Sequence, residues 1–478
     1  MNRKYILIGL LVCITGIFSG CHSWLDVQPE DQVTDGQLFS TESGFRTALN
    51  GIYVELSNNA LYGGELSVDA VEILAQRYDF SGNTTNAYRL GTYNYTIDYA
   101  KSKFAAVWEK AYSLIANCNK LLEYAEKNEE VLTGKMRKMI IGEAMALRAF
   151  LHFDMLRLFG PVYATNKADL SIPYNTVYSI SATSLLPATQ VVEKVLKDLD
   201  EAERLLGESD PIIEEGPQNQ DSEDGLNYYT YRTQRLNYYA VKALQARAYL
   251  WFGDTQKAYE AAQAVITAKD EDGNPRFRLG TAGDFSEGRF TLPCEQVFSL
   301  YRFDLQDKYT ELFSGDGLYK GTKETTVKKE LYGNTGSDIR EMNLWNLLVM
   351  ANKASYYVCN KYQVTEATSE KEEDKVIPLL RLSEMYLIAI EAGPETEAQR
   401  LWKEFLSARN LVTADLPSDA ALRKAAIIAE YRKEFYGEGV TFFLHKRLNL
   451  PKNQWLWAPS DLEVNYVLPL PETELSEK

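Results

Sequence analysis

The chain has 478 residues, 45% of them hydrophobic and 25% charged, an ordinary globular composition with length for a large core. Its formal net charge of −16 argues against nucleic acid, which needs a basic face, and against electrostatic adhesion to anionic lipid. Aromatic side chains are plentiful, with 31 Tyr, 19 Phe and 7 Trp.

Arg3 and Lys4 precede an uncharged, mostly apolar run of 14 residues from Tyr5 to Phe18. A membrane-spanning helix needs about 20 such residues, so the run fits a signal peptide better. No later stretch of the sequence is long enough to span. Ser19 and Gly20 are small, as a signal peptidase requires, and lead to Cys21. The run Ile17-Phe18-Ser19-Gly20-Cys21 resembles the bacterial lipobox. That resemblance implies a diacylglycerol on the Cys21 sulfur and acylation of the new N-terminus. Each buried CH₂ is worth about 0.8 kcal/mol, and two lipid signals already anchor stably. The expected organisation is a signal peptide over 1–20 and a lipid anchor and tether over 21–40, with Pro29 discouraging helix. A plain secreted protein with a chance cysteine is the alternative. Cys118, Cys294 and Cys359 show no metal spacing and read as small buried hydrophobes with at most one disulfide.

Helical periodicity then recurs along the chain. Phe45, Ala48, Leu49, Ile52, Tyr53 and Leu56 share a face after a Ser40-Thr41 cap. A second helix over about 104–126 turns Phe104, Val107, Trp108, Ala111, Tyr112, Ile115, Leu122 and Ala125 inward. A third follows Gly134 and stops at Gly160-Pro161. A fourth opens at Ser184 with Pro187 in its first turn, packs Val191, Val195, Leu199, Ala202 and Leu206, and stops at Gly207. The next two form a pair, "AVKALQARAYLWFGDTQKAYEAAQAVI", in which Ala246, Tyr249, Gly253 and Ala258 have tetratricopeptide-like spacing. "RLSEMYLIAIEAGPETEAQRLWKEF" looks like a second copy, since Gly393 to Ala398 repeats the offset of Gly253 to Ala258. A last long helix covers about 418–436. Such pairs stack into a curved scaffold.

Three regions interrupt the helices. Residues 58–100 are polar and tyrosine-rich. Residues 207–234 are acidic, with seven Asp or Glu between Glu208 and Asp224, and a solvated, mobile loop is expected over 208–225. Residues 270–375 hold short β-like runs, "QVFSLYRF" and "ASYYVCNKYQV". Long loops in a compact domain are usually functional or disordered.

These segments together resemble the SusD/RagB family, surface lipoproteins that deliver nutrients to a TonB-dependent outer-membrane transporter. The resemblance rests on Cys21 with "LDVQP", then "ALNGIY", "GEAMALRAFLHFDMLRLFGPV" (Gly142–Val162) and "IPY" (Ile172–Tyr174). It continues with "ALQARAYLWFGD", "IPLLRLSEMYLIAIEA" (Ile377–Ala392), "YRKEFYGEGVTFFLHKR" (Tyr431–Arg447) and the closing "YVLPLPETEL". Each motif is weak alone; in this order and over this span they are specific. Thr441 departs from the family's usual Arg, and Leu444-His445 from its Asp-Leu. The resemblance implies a mostly α, tetratricopeptide-like helical-pair scaffold with long irregular loops and minor β elements, the SusD-like fold. It implies one SusD-like domain over 41–478. Repeat helices fall mainly in 41–270 and 376–440, with a loop-rich ligand and partner region over 58–100 and 270–375. Glu143, Arg148 and Arg157 read as scaffold charges paired to neighbouring helices, in the manner of Glu384 with Arg381 or Arg447; Phe442 and Phe443 read as core.

Catalytic chemistry is hard to find. The chain has three histidines, His22, His152 and His445, and no zinc-protease, nucleophile-elbow or phosphate-loop motif. "DEDGN" (Asp270–Asn274) starts like a calcium loop but meets Pro275 where glycine is needed. No catalytic residue, metal or cofactor is expected. Binding is the better reading: an aromatic ring covers the apolar C–H face of a sugar while polar groups at its edge take the hydroxyls. Tyr78, Asn83, Asn86, Tyr88, Tyr93 and Tyr95 in the first loop region, and Tyr301, Tyr319 and Trp345 in the late one, are the candidate ligand residues. A lone tyrosine of this kind reads first as core. The resemblance adds a SusC-like TonB-dependent barrel as partner, a position at the outer membrane facing the exterior, and oligosaccharide cargo; peptide capture and a surface-anchored glycan hydrolase are the alternatives.

Overall fold

Through the first eight long helices each packs on the one before it, so chain order becomes spatial order. The structure is a computed structural model and describes residues 34–80, 82, 84–179, 181, 183–222, 227–313, 325–349 and 355–476. The signal peptide, Cys21 and tether residues 21–33 lie outside the described residues. The helices are α1 (Glu42–Leu56), α2 (Asp98–Lys127), α3 (Gly134–Phe159), α4 (Ala188–Gly207), α5 (Tyr238–Phe252), α6 (Thr255–Ile266), α7 (Leu382–Ala392), α8 (Glu395–Ala408), α9 (Ala420–Glu434) and α10 (Val440–Arg447). From α1 to α8 every helix contacts its predecessor; α9 packs on α7, and α10 on α9. This is the mostly α, tetratricopeptide-like array that the spacing implied.

The starts follow local capping chemistry. The Thr41 side chain accepts from the Gly44 amide at 3.1 Å, Asn237 from Ala240 at 2.9 Å, Asp254 from Lys257 at 3.1 Å and Asp419 from Leu422 at 2.9 Å. Each such cap is worth about 1 kcal/mol. Pro187 is the residue before α4 rather than part of its first turn. The end of the tether is already folded: Phe39 is buried and stacks on Tyr124 with ring centroids 4.6 Å apart.

The two helical pairs turn their corners differently. Gly253 takes φ +86°, a left-handed C-terminal stop that costs glycine nothing. Gly393 is extended, at φ −83° and ψ 170°, and Pro394 prevents continuation. A β-carbon at Gly253 would meet nothing within 4 Å, whereas one at Gly393 would lie 2.6 Å from the Ala389 carbonyl oxygen and from the Tyr259 ring. Gly253→Ala is therefore expected to cost about 1–2 kcal/mol from backbone conformation alone. Gly393→Ala is expected to cost more, because α6 must move; urea midpoints of the two variants check the order.

Two small antiparallel sheets lie beside the array: β1 (Gln296–Tyr301) with β4 (Val376–Arg381), and β2 (Trp345–Val349) with β3 (Ser355–Cys359). Both β-like runs of the sequence thus contain strands. The tyrosine-rich region 58–100 is more ordered than expected, with short helices at Ala70–Leu74 and Asn86–Gly91. The acidic region is not uniformly solvated either. Asp210 is buried and receives two bonds from Arg232, at 3.0 and 2.8 Å, because the same guanidinium also serves Glu143 at 2.7 Å.

Buried charges are paired, though not always as expected. Glu384 pairs with Arg247 at 2.6 Å, not with Arg381 or Arg447. Arg447 instead takes Glu391, and Arg381 takes Glu295, Glu434 and Glu438. The i, i+3 and i+7 arithmetic of one helix cannot say which neighbouring helix faces it. Arg148 pairs with Asp198 and Arg157 with Asp154; Phe442 and Phe443 are core. Cys118, Cys294 and Cys359 are free thiols, and burial pushes their pKa values up to about 12, 12 and 11.

His152 is buried and must be neutral. Its Nε2 accepts the Asn175 amide at 3.0 Å and its Nδ1 contacts the Arg148 carbonyl at 2.8 Å. A proton on Nε2 would face another N–H. Burial pushes the imidazole pKa down to about 3, with the Arg148 charge assisting and the bond to the Arg148 carbonyl opposing. The neutral form is favoured by folding, so this contribution is complete above pH 6.5 and is lost as pH falls toward 3. Urea midpoints between pH 7 and 4 should fall, and should fall less steeply in His152→Gln.

Candidate functional site: a loop-built aromatic face

The short helix Asn86–Gly91 begins where the Thr85 side chain accepts from the Tyr88 amide at 3.2 Å. This places Tyr88 half-exposed, with its hydroxyl donating to Asp461 at 2.8 Å. That bond, with some desolvation, raises the phenol pKa and keeps it a donor. Trp457, in the same C-terminal loop as Asp461, donates its indole N–H to Glu330 at 2.6 Å. Arg77 lies 5.5 Å from the Trp457 ring centroid and 4.6 Å from that of Tyr436. The C-terminal loop therefore joins a half-buried ring to an exposed carboxylate twice, Asp461 with Tyr88 and Trp457 with Glu330, each time across chain segments far apart in sequence, and exposed Asn86 opens the helix that carries Tyr88.

The loop carrying Trp457 and Asp461 is held firmly. Arg432 donates to the Gln454 carbonyl at 2.6 Å, and Lys452 to the carbonyls of Ser460 and Leu462 at 2.8 and 2.9 Å. Tyr95 donates to the Asn465 carbonyl at 2.7 Å, and Tyr466 to that of Leu450 at 2.6 Å. Burial, with Arg77 nearby, pushes Arg432 down to about 10, so it is still a cation at neutral pH.

Three of the six expected ligand tyrosines, Tyr78, Tyr93 and Tyr95, are buried. Tyr93 and Tyr95 are buried in an edge-packed cluster with Trp455 and Tyr466. Tyr78 is buried, bonded to the Val68 carbonyl at 2.7 Å and edge-on to Tyr436. Trp345 is buried against Tyr436, its indole donating to Tyr332 at 3.2 Å. All four rings are largely buried against other side chains, and Tyr95 also borders a cavity of about 600 Å³ with Phe104 and Leu470. Asn86 is exposed and Tyr88 half-exposed. Tyr301 is 37% exposed but ends β1 opposite Val376, beside the Glu372 carboxylate, in a different part of the surface. Asn83 and Tyr319 lie outside the described residues. Sequence reasoning missed Trp457, Asp461 and Glu330. The signal available was "WLWAPSD", two tryptophans beside Pro459 in a loop after the last long helix.

Among the described residues no group of three or more His, Cys, Asp or Glu could hold a metal ion. No helix among them is long and apolar enough to cross a membrane. His445 is buried like His152 and kept neutral by burial and by the Arg432 and Arg77 charges.

The helical-repeat fold is shared with solved SusD superfamily structures. A crystal structure of a SusD superfamily protein from Bacteroides thetaiotaomicron superposes with a TM-score of 0.69 at 22% identity, covering 91% of this chain and 98% of the other. A laminarin-binding SusD-like protein gives a TM-score of 0.61 at 18% identity, covering 91% and 97%. Residues 23–215 match the SusD-like family model described as starch-binding associating with outer membrane. SusD-like protein P2 of Formosa agariphila is 25% identical over 285 residues, 59% of this chain and 49% of the relative. SusD-like protein P38 of the same organism is 28% identical over 42% of this chain and 38% of its own length. The matched part spans about half or less of these relatives. The chain is thus similar in sequence to SusD-like proteins and shares the fold of solved SusD superfamily structures.

Proposed function

We propose that this chain is a surface lipoprotein that captures oligosaccharide and passes it to a SusC-like TonB-dependent transporter. Cys21 carries the lipid, the tether lets the body move, and residues 41–478 act as one lid over the barrel mouth. A tether of this kind keeps the lid at high effective concentration while allowing a hinge motion. The observation that carries the reading is the pairing of Tyr88 with Asp461 and of Trp457, four residues before Asp461 in the same loop, with Glu330. Rings for C–H faces and fixed acceptors for hydroxyls are what a sugar requires. The laminarin-binding relative is consistent with a glucan or similar neutral glycan.

Capture requires no turnover. Calorimetry of the purified protein against neutral oligosaccharides, with a reducing-end assay run in parallel, is expected to give binding and no new reducing ends. Release of reducing ends would make the protein a hydrolase, and binding of peptides alone would make it a peptide carrier. Mass spectrometry of the mature N-terminus is expected to find a diacylated Cys21, and cross-linking in cells is expected to recover a barrel partner.

A further inference from the structure

A second cavity lies away from Tyr88 and Trp457 and shares no lining residue with them. It is a groove of about 770 Å³ between α2, α3 and α4, within the range of small-ligand sites. Its floor is rigid. Arg148 is buried there, its guanidinium bound by both Asp198 oxygens at 2.7 and 2.8 Å and by the Asn119 side-chain oxygen at 2.9 Å. Its end wall, residues 172–178, is fixed from inside. Tyr174 stacks on His152 at 3.8 Å, and Asn119 donates to the carbonyls of Asn175 and Val177. So braced, the wall presents Val177 and Tyr178 to solvent at 68% and 47% exposure.

The charge of this groove differs from that of the molecule. Asp198 is committed to Arg148, and Glu123 to Lys127. Lys194 and Lys197 line the groove one turn apart on α4, both exposed, and neither has an ion-pair partner among the described residues. Neighbouring lysines do have partners: Lys120 pairs with Asp35 at 2.9 Å and Lys138 with Glu208 at 2.6 Å. Against the two uncommitted ammonium groups stands one uncommitted carboxylate in the lining, Glu126. An acidic chain of net charge −16 thus keeps a locally cationic groove beside an exposed tyrosine. We propose that this groove binds carboxylate-bearing oligosaccharides, such as uronate oligomers, at a site separate from the Tyr88–Trp457 face. Tyr178 and Val177 cover the C–H face of a sugar, and Lys194 and Lys197 meet its carboxylates. A neutral glycan would leave both lysines unused.

The test is calorimetry of the full mature chain with tetragalacturonate, laminaritetraose and tetraglutamate at 50 and 500 mM NaCl. Tetragalacturonate is expected to bind and to weaken severalfold at the higher salt, as exposed charges are screened. The Lys194→Gln/Lys197→Gln pair is expected to weaken it about tenfold or more, while Lys194→Arg/Lys197→Arg retains binding. Both lysines are exposed, so circular dichroism should show every variant folded. Trp457→Ala is expected to leave tetragalacturonate binding unchanged, which separates this site from the proposed neutral-glycan face. No binding of tetragalacturonate, or binding indifferent to the glutamine pair, overturns the proposal. So does laminaritetraose binding that is lost in that pair, or tetraglutamate bound as tightly as tetragalacturonate, which would make the groove a peptide site.

Discussion

Glu434→Ala is expected to destabilise the protein by at least about 3–5 kcal/mol, the usual cost of breaking a buried ion pair by removing one partner. Glu434 is buried at the end of α9 and touches three guanidiniums: Arg340 at 3.0 Å, Arg381 at 2.8 Å and Arg409 at 2.9 Å. Burial alone would raise its pKa, but Arg409, Arg381 and Arg340 together hold it well below the usual carboxylate range. Its contribution is present above the ordinary carboxylate pKa and is lost as pH falls through the depressed folded value. Asp338 and Glu430 complete the shell of Arg340, Glu295 serves Arg381 and Arg409, and Glu438 serves Arg381 and Lys361. The network therefore ties α9, β4, the end of α8 and the segment before β1 at one point. Removing its central acid leaves three buried cations short of charge. Chemical denaturation followed by circular dichroism should show either no folded protein or a strongly lowered midpoint. Glu123→Ala, which removes an exposed i, i+4 partner of Lys127, should leave the midpoint nearly unchanged. Equal effects of the two would remove the network from its structural role.

The second large effect is expected at the aromatic face. Trp457→Ala should weaken neutral-glycan binding more than tenfold, since aromatic anchors carry most of the energy at such sites. It also leaves the Glu330 carboxylate without its indole donor. Tyr88→Phe keeps the ring and removes only the bond to Asp461, so a loss of a fewfold is expected, with Tyr88→Ala closer to Trp457→Ala. Tyr93→Phe is the control: its hydroxyl bonds the Leu74 carbonyl at 3.1 Å inside the core, so it should lower stability slightly and leave affinity intact. Calorimetry with one laminari-oligosaccharide series across the four variants decides this. An affinity unaltered by Trp457→Ala would remove this face from consideration.

The helices were legible because their information is local. Thr41, Asn237 and Asp254 cap the helices they precede, Gly160-Pro161 ends α3 and Gly253 ends α5, each through chemistry within four residues. The apolar stripe of Phe45, Leu49, Ile52 and Leu56 is buried as its period requires. The face was only partly legible. Asn86 and Tyr88 were visible as loop residues, but Tyr78, Tyr93 and Tyr95 have the same composition and neighbourhood and are buried. Nothing in a tyrosine's sequence context says which side of a loop is covered.

The sequence by itself determined where most of the helices start and stop, that they pair and stack, and that the ordered motifs resemble those of the SusD/RagB family. Those properties follow from capping, periodicity and ordered motifs, which act over a few residues or survive as strings. Tertiary structure alone decided that Glu384 faces Arg247, that Asp461 meets Tyr88 across more than 370 positions, and that Lys194 and Lys197 open onto a groove. Contacts of that kind depend on how whole helices and loops pack, and packing is set by every layer at once.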